Sequence, residues 1–95
     1  MFIRTTRYRV KKTSMAKFQE LGEFARERAA KLDGLLQNYV GMDEAGNAVM
    51  VGVWETKDKC QASLEAVKAN WSEVMEHLDG QPEVDEYPIA LQVKG

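Results

Sequence analysis

The chain has 95 residues, 44% of them apolar and 29% charged, the balance of a globular domain rather than a disordered, collagen-like or coiled-coil chain. Thirteen Lys and Arg against fifteen Asp and Glu leave a net charge of −2, which excludes a general polyanion binder and leaves no nucleic-acid partner expected. The single cysteine, Cys60, excludes an internal disulfide framework and a multi-cysteine metal site, and the longest apolar run, residues 48–54, is too short to span a membrane. The expectation is one domain over residues 1–95, without a signal peptide, in the cytoplasm.

Residues 2–10 are rich in β-branched and aromatic side chains and read as a first strand. Phe2, Arg4, Thr6, Tyr8 and Val10 share one face of it, and Ile3, Thr5, Arg7 and Arg9 share the other. Thr13 and Ser14 offer a helix N-cap, after which Met15, Phe18, Gly22, Ala25, Ala29 and Leu32 recur at helical spacing, widened by Leu21 and Phe24. Gly34 suits the left-handed position that closes this helix. Leu35–Met42 reads as a second strand, the polar residues 43–47 as a hairpin loop, and residues 48–55 as a third strand. That third strand is apolar on both faces, with Val49, Val51 and Val53 on one and Met50 and Trp54 on the other.

Thr56 or Asp58 can cap the next helix, Asp58 with Gln61 at capping-box spacing. Its apolar stripe runs through Cys60, Leu64, Val67, Trp71, Val74 and Leu78, and Leu78-Asp79-Gly80 repeats the Leu-Asp-Gly stop of the first helix. After Pro82, alternation of Tyr87, Ile89, Leu91 and Val93 predicts a fourth strand. The order is β-α-β-β-α-β. Five cations among the first twelve residues and six acids between positions 73 and 86 make opposite charges meet if the first and last strands are antiparallel neighbours. The fold class expected is α+β, a ferredoxin-like βαββαβ domain with a four-stranded antiparallel sheet of order 4-1-3-2 and both helices on one face. Its other face, expected to carry Met50 and Trp54, then needs a cover, and a homodimer with sheets packed face to face supplies one.

The run Val53-Trp54-Glu55-Thr56-Lys57-Asp58 resembles the W-E-[ST]-x-[DE] segment of the antibiotic-biosynthesis-monooxygenase type of dimeric α+β barrel, and Gly34-Leu35-Leu36 and the hairpin also resemble that family. The resemblance covers nearly the whole chain in layout and six residues in motif. It implies a homodimer, no cofactor, and a cofactor-independent monooxygenase acting on a quinol-like or polyketide-type aromatic. The chain departs from the family at Gly52, where an acid is common two residues before the tryptophan, and at Ser63, where a histidine is common. The first strand lacks the asparagine of the haem-degrading branch, and His77 lies near the wrong end of its helix for that branch's ligand, so haem degradation is disfavoured.

His77, the only histidine, and Tyr39 are the candidate catalytic residues, as groups able to assist a deprotonation. Against this, a histidine at a helix C-terminus also serves the helix dipole. Trp54, Tyr8 and Met50 are candidate walls of an apolar site for a small aromatic ligand, and Arg4 a candidate anchor for an anionic group, each with an ordinary packing or pairing role as the alternative. Asn38 and Tyr39 point to opposite faces of one strand, so only one of them can line a given cavity. Cys60 reads as a small buried hydrophobe. The competing function is a non-catalytic small-molecule-binding or structural dimerisation domain, which the two departures favour.

Overall fold

In the computed structural model, residues 1–93 are described, apart from the side chains of Phe24 and Ala25, whose predicted places in the helix stripe therefore lie outside the described residues. The elements are β1 (Phe2–Arg9), α1 (Met15–Ala29), β2 (Leu35–Met42), β3 (Asn47–Trp54), α2 (Lys57–Ala62), α3 (Leu64–Val74) and β4 (Glu83–Pro88), with 3-10 turns at Lys12–Ser14 and Met75–His77. They build one four-stranded antiparallel sheet in the order β2-β3-β1-β4. This is the α+β ferredoxin-like arrangement expected from the sequence. No helix among the described residues is long and apolar enough to cross a membrane.

Charge fixes the β1/β4 pairing as anticipated. Arg4 stands opposite Glu86 and Arg7 opposite Glu83. The guanidinium of Arg7 lies 3.6 Å from Glu83 and 3.5 Å from Asp85. These exposed pairs add at most a few tenths of a kcal/mol each. Their larger consequence is register, because a one-residue slip would bring every inward side chain of β1 out to solvent.

Residues Phe2, Arg4, Thr6 and Tyr8 are buried against the helices, while Arg7 and Arg9 face solvent. The β1/β3 register then decides a question that β3 alone left open. Phe2 pairs with Trp54 and Thr6 with Met50, so Trp54 and Met50 lie on the helix-facing side. The expected assignment of these two residues to the open face is therefore corrected. Both faces of β3 are apolar, so hydrophobicity carried no direction, and the partner strand supplied it. The open face instead bears Val49, Val51 and Val53, flanked by Tyr39 of β2 and Ile3 and Thr5 of β1.

Further boundaries and caps differ from expectation. The second helix is two, broken at Ser63, whose hydroxyl donates to the Cys60 carbonyl at 2.7 Å and turns the chain between α2 and α3. Thr56 is the N-cap of α2, accepting from the Lys59 amide at 3.1 Å, and Gln61 reaches Glu86 instead of closing a capping box with Asp58. Leu78 belongs to no helix. It is extended and bridges to Val10, which is why it is buried. The fourth strand ends at Pro88, and Leu91 and Val93 beyond it are exposed.

α1 ends at Ala29 with Ala30 as its C-cap, so Leu32 and Gly34 lie beyond the helix, not in its last turn and at its stop as expected. Gly34 takes φ +84° in the turn into β2, where a side chain would also run into Lys59, whose Cδ is 2.5 Å from where it would begin. Ser14 stands at the N-terminus of α1 without a side-chain capping bond; its hydroxyl meets His77 instead.

Candidate functional site

The buried core is split in two. One cluster joins Tyr8, Val10, Ala48 and Leu78, with Phe18 and Trp71 packed against it. The other joins Phe2, Trp54 and Cys60, with Leu32 and Leu35 against it. Between them the inner face of the sheet carries Thr6 on β1 and Gly52 on β3, which do not fill the gap up to the helices. On the opposite wall, Gly22 of α1 has open space where a side chain would begin. The result is a cavity of about 860 Å³ between sheet and helices, within the size range of small-molecule sites. Its β2 wall is Asn38, Val40 and Met42, all exposed, so the cavity opens along this edge of the sheet.

Gly52 has a specific reason. A side chain there would begin 3.2 Å from the indole nitrogen of Trp54, so glycine gives the indole its place on the cavity floor. The Tyr8 ring sits edge-on to Trp71, with centroids 5.1 Å apart, and 5.7 Å from Phe18. Aromatic surface thus lines both ends of the cavity.

Among the described residues, two side-chain polar atoms are buried out of reach of solvent without a hydrogen-bond partner, both on residues that line the cavity with other atoms. Arg4 is 8% exposed, and its Nε donates to Glu86 Oε1 at 3.2 Å. The Nη2 of Arg4 lies 3.2 Å from the same oxygen but out of hydrogen-bond alignment, and it is buried without another acceptor. Glu86 is held from its other side by Gln61 Nε2 at 2.6 Å. The Tyr8 hydroxyl is also buried and without a partner. Burial pushes its phenol from 10.0 up to about 12. At neutral pH the group is a protonated donor.

That shift has a stability consequence. Between pH 10 and 12 the unfolded Tyr8 ionises while the folded one stays protonated, so its contribution, fully present below pH 10, is lost as pH rises through this window. The loss amounts to about 2–3 kcal/mol. Urea unfolding on either side of the window should show a smaller alkaline loss in Tyr8→Phe than in the parent; equal losses would contradict the burial of this hydroxyl.

The sequence-predicted residues divide. Arg4, Tyr8, Met50 and Trp54 all line the cavity. Tyr39 does not: it stands on the open face of the sheet, 59% exposed, and its neighbour Asn38 lines the cavity instead. His77 is also outside it, in the 3-10 turn after α3, with Nδ1 3.0 Å from Ser14 Oγ and Nε2 3.4 Å from Glu76. There it ties that turn to the start of α1. Thr6, Gly52, Phe18 and Trp71 complete the walls without having been singled out as site residues. A glycine inside an apolar strand was the available signal for Gly52, whereas Phe18 and Trp71 are indistinguishable in sequence from core positions. Cys60 is fully buried, and burial pushes its thiol up, with Arg4 opposing and Glu86 adding to the effect, so it is a packed and unreactive group.

No family model matches the chain, and neither does any curated protein. Solved structures do match. A structure provisionally assigned as an antibiotic biosynthesis monooxygenase from Deinococcus radiodurans aligns over 100% of both chains at TM-score 0.83 and 16% identity. A mutant form of SnoaB, a cofactor-independent oxygenase from Streptomyces nogalater, aligns over 99% of this chain and 97% of its own at TM-score 0.80 and 12% identity. A conserved protein from Methanosarcina mazei Go1 aligns over 92% of this chain and 91% of its own at TM-score 0.80 and 20% identity. Identities this low establish architecture and leave the chemistry to the site. The chain has the antibiotic-biosynthesis-monooxygenase fold.

Proposed function

We propose that the protein is a cofactor-independent monooxygenase acting on a quinol-like or polyketide-type aromatic, and that it works as a homodimer. The observation that carries this reading is the cavity of about 860 Å³ between two aromatic clusters. The fold shared with SnoaB supports it.

The chemistry needs no bound redox group. A ring methylene activated by flanking aromatic and carbonyl groups loses a proton, and the resulting carbanion, delocalised as an enolate, gives electrons to dioxygen. The methylene becomes a carbonyl; one oxygen atom stays in the product and the other leaves as water, the substrate supplying all four electrons. The contribution of the protein is to exclude water and to place donors where the enolate oxygen gains charge. Asn38, exposed on the β2 wall, offers an amide donor there.

The open face supports the dimer. Val49, Val51 and Val53 with Tyr39 form an apolar strip in the middle of the sheet, and an isologous sheet-to-sheet contact would cover it.

A second reading, ligand binding without turnover, is favoured by one observation. His77 and Tyr39 lie outside the cavity, and its wall carboxylates Glu20 and Glu23 are exposed and paired with Lys17 and Arg26. Deprotonation must then rest on the acidity of the substrate itself.

An oxygen electrode with anthrone and a set of hydroquinones tests the proposal. The expected result is stoichiometric oxygen uptake with at least one of them, reduced ten-fold or more in Met50→Trp, which pushes a larger ring into the middle of the cavity. Binding without uptake across the set would establish the second reading instead.

A further inference from the structure

A glycine in the middle of a helix lowers the folding equilibrium constant roughly five-fold against alanine. Gly22 occupies such a place, at the centre of α1. Other glycines of the chain have a local reason. Gly34, Gly46 and Gly80 take positive φ, and a side chain at Gly52 would begin 3.2 Å from the Trp54 indole nitrogen. Gly22 has neither reason: its backbone is helical, and nothing lies within 4 Å of where its side chain would begin. What a larger residue would change there is the empty space itself.

That space has a definite place. Phe18, one turn before Gly22, and Ala29, two turns after it, share its face of α1, and all three line the cavity. Phe18 packs with the cluster at the Tyr8 and Trp71 end, whereas Leu32, beyond the helix, packs with Phe2 and Trp54 at the other. At helical rise, Gly22 stands about 6 Å past Phe18 and about 10 Å before Ala29. It is therefore the helix wall of the gap between the two clusters, across from the sheet wall of Thr6 and Met50. A large side chain here would project into the middle and divide one cavity into two. Glycine leaves the two ends joined.

We propose that Gly22 is a specificity-determining residue, which sets the length of ligand the cavity accepts by keeping its two ends connected. The helix is less stable for it, as sites shaped for a ligand often are. The inference rests on the cavity being the ligand site proposed above, and it is independent of turnover.

Equilibrium dialysis with phenol, 2-naphthol and 4-phenylphenol, a series of increasing length, tests it without oxygen chemistry. Gly22→Phe should weaken 4-phenylphenol ten-fold or more and leave phenol, which fits one end, within two-fold of the parent. Ala16→Phe, which adds the same ring at an exposed position of α1 outside the cavity, should change none of the three. Urea unfolding of Gly22→Ala should show a folding equilibrium constant raised roughly five-fold, whereas a glycine required by the fold would give a loss. Unchanged binding of 4-phenylphenol by Gly22→Phe, an equal loss for all three compounds, or a less stable Gly22→Ala would overturn the inference alone. No binding of any compound by the parent would overturn the ligand-site reading with it. A length-dependent loss without oxygen uptake by the parent would overturn only the monooxygenase reading.

Discussion

Trp54→Ala is expected to destabilise the protein by about 3–5 kcal/mol, the range for truncating a buried aromatic to a methyl. Trp54 is 3% exposed and packs with Phe2 and Cys60, partly buried Leu32 and Leu35 closing the group. The cost should lie at the upper end. The indole already borders a cavity, so the lost volume merges with existing space instead of collapsing. Against the roughly 5–15 kcal/mol that separates folded from unfolded states of ordinary domains, the loss removes a third or more of the stability of all but the most stable of them and leaves a small domain marginally folded. Urea unfolding followed by circular dichroism checks it. A loss below about 1 kcal/mol would place the indole outside the core.

The second large effect concerns assembly. Val51→Glu should convert a homodimer to a monomer while leaving the monomer folded. Val51 sits mid-strand on the open face, between Thr5 on β1 and Tyr39 on β2. In the monomer its side chain is half-buried, so the substitution costs about 1 kcal/mol of strand preference. In a face-to-face dimer two carboxylates would be buried near the symmetry axis without partners, which costs several kcal/mol per ion. Light scattering on a sizing column should give a mass of twice 10.8 kDa for the parent and 10.8 kDa for the variant. A monomeric parent would remove the sheet-to-sheet dimer.

The fold was legible because the decisive signals were local or electrostatic. Residues 2–9 alternate cleanly, Phe2, Thr6 and Tyr8 inward against Arg7 and Arg9 outward, and the basic start and acidic end of the chain admit only one pairing. Where a pattern was symmetric it gave no answer. The two apolar faces of β3 are equivalent until β1 is laid beside them, and the open face was consequently assigned to Met50 and Trp54 rather than to the three valines. The break at Ser63 was hidden by a stripe whose helical spacing continues through it, because the Ser63 hydroxyl ends the first piece without interrupting that stripe. Leu78 extends the same spacing by coincidence and is buried by Val10.

The site was legible in part. Arg4 and Tyr8 could be named because they are polar or bulky groups on the inward face of β1, and Met50 and Trp54 for their size and chemistry, although their face of β3 was misassigned; all four residues line the cavity. His77 and Tyr39 were selected for their chemistry alone, and chemistry does not say which way an edge strand or a helix terminus points. The cavity itself was invisible in the sequence. It arises from what is missing between the two halves of the core, at Thr6, Gly52 and Gly22, and only three-dimensional packing shows where small residues coincide.

The chain contains two tryptophans, Trp54 and Trp71, and both line the cavity, one on the sheet and one on α3. Their indole N–H resonances give a direct report on whether the cavity is where a ligand binds. Titration of the labelled protein with 2,6-dihydroxynaphthalene should shift both indole signals together and saturate at a single site, with the amides of Val49, Val51 and Tyr39 on the open face unmoved. Shifts confined to the open-face amides, with both indole signals unchanged, would contradict the account.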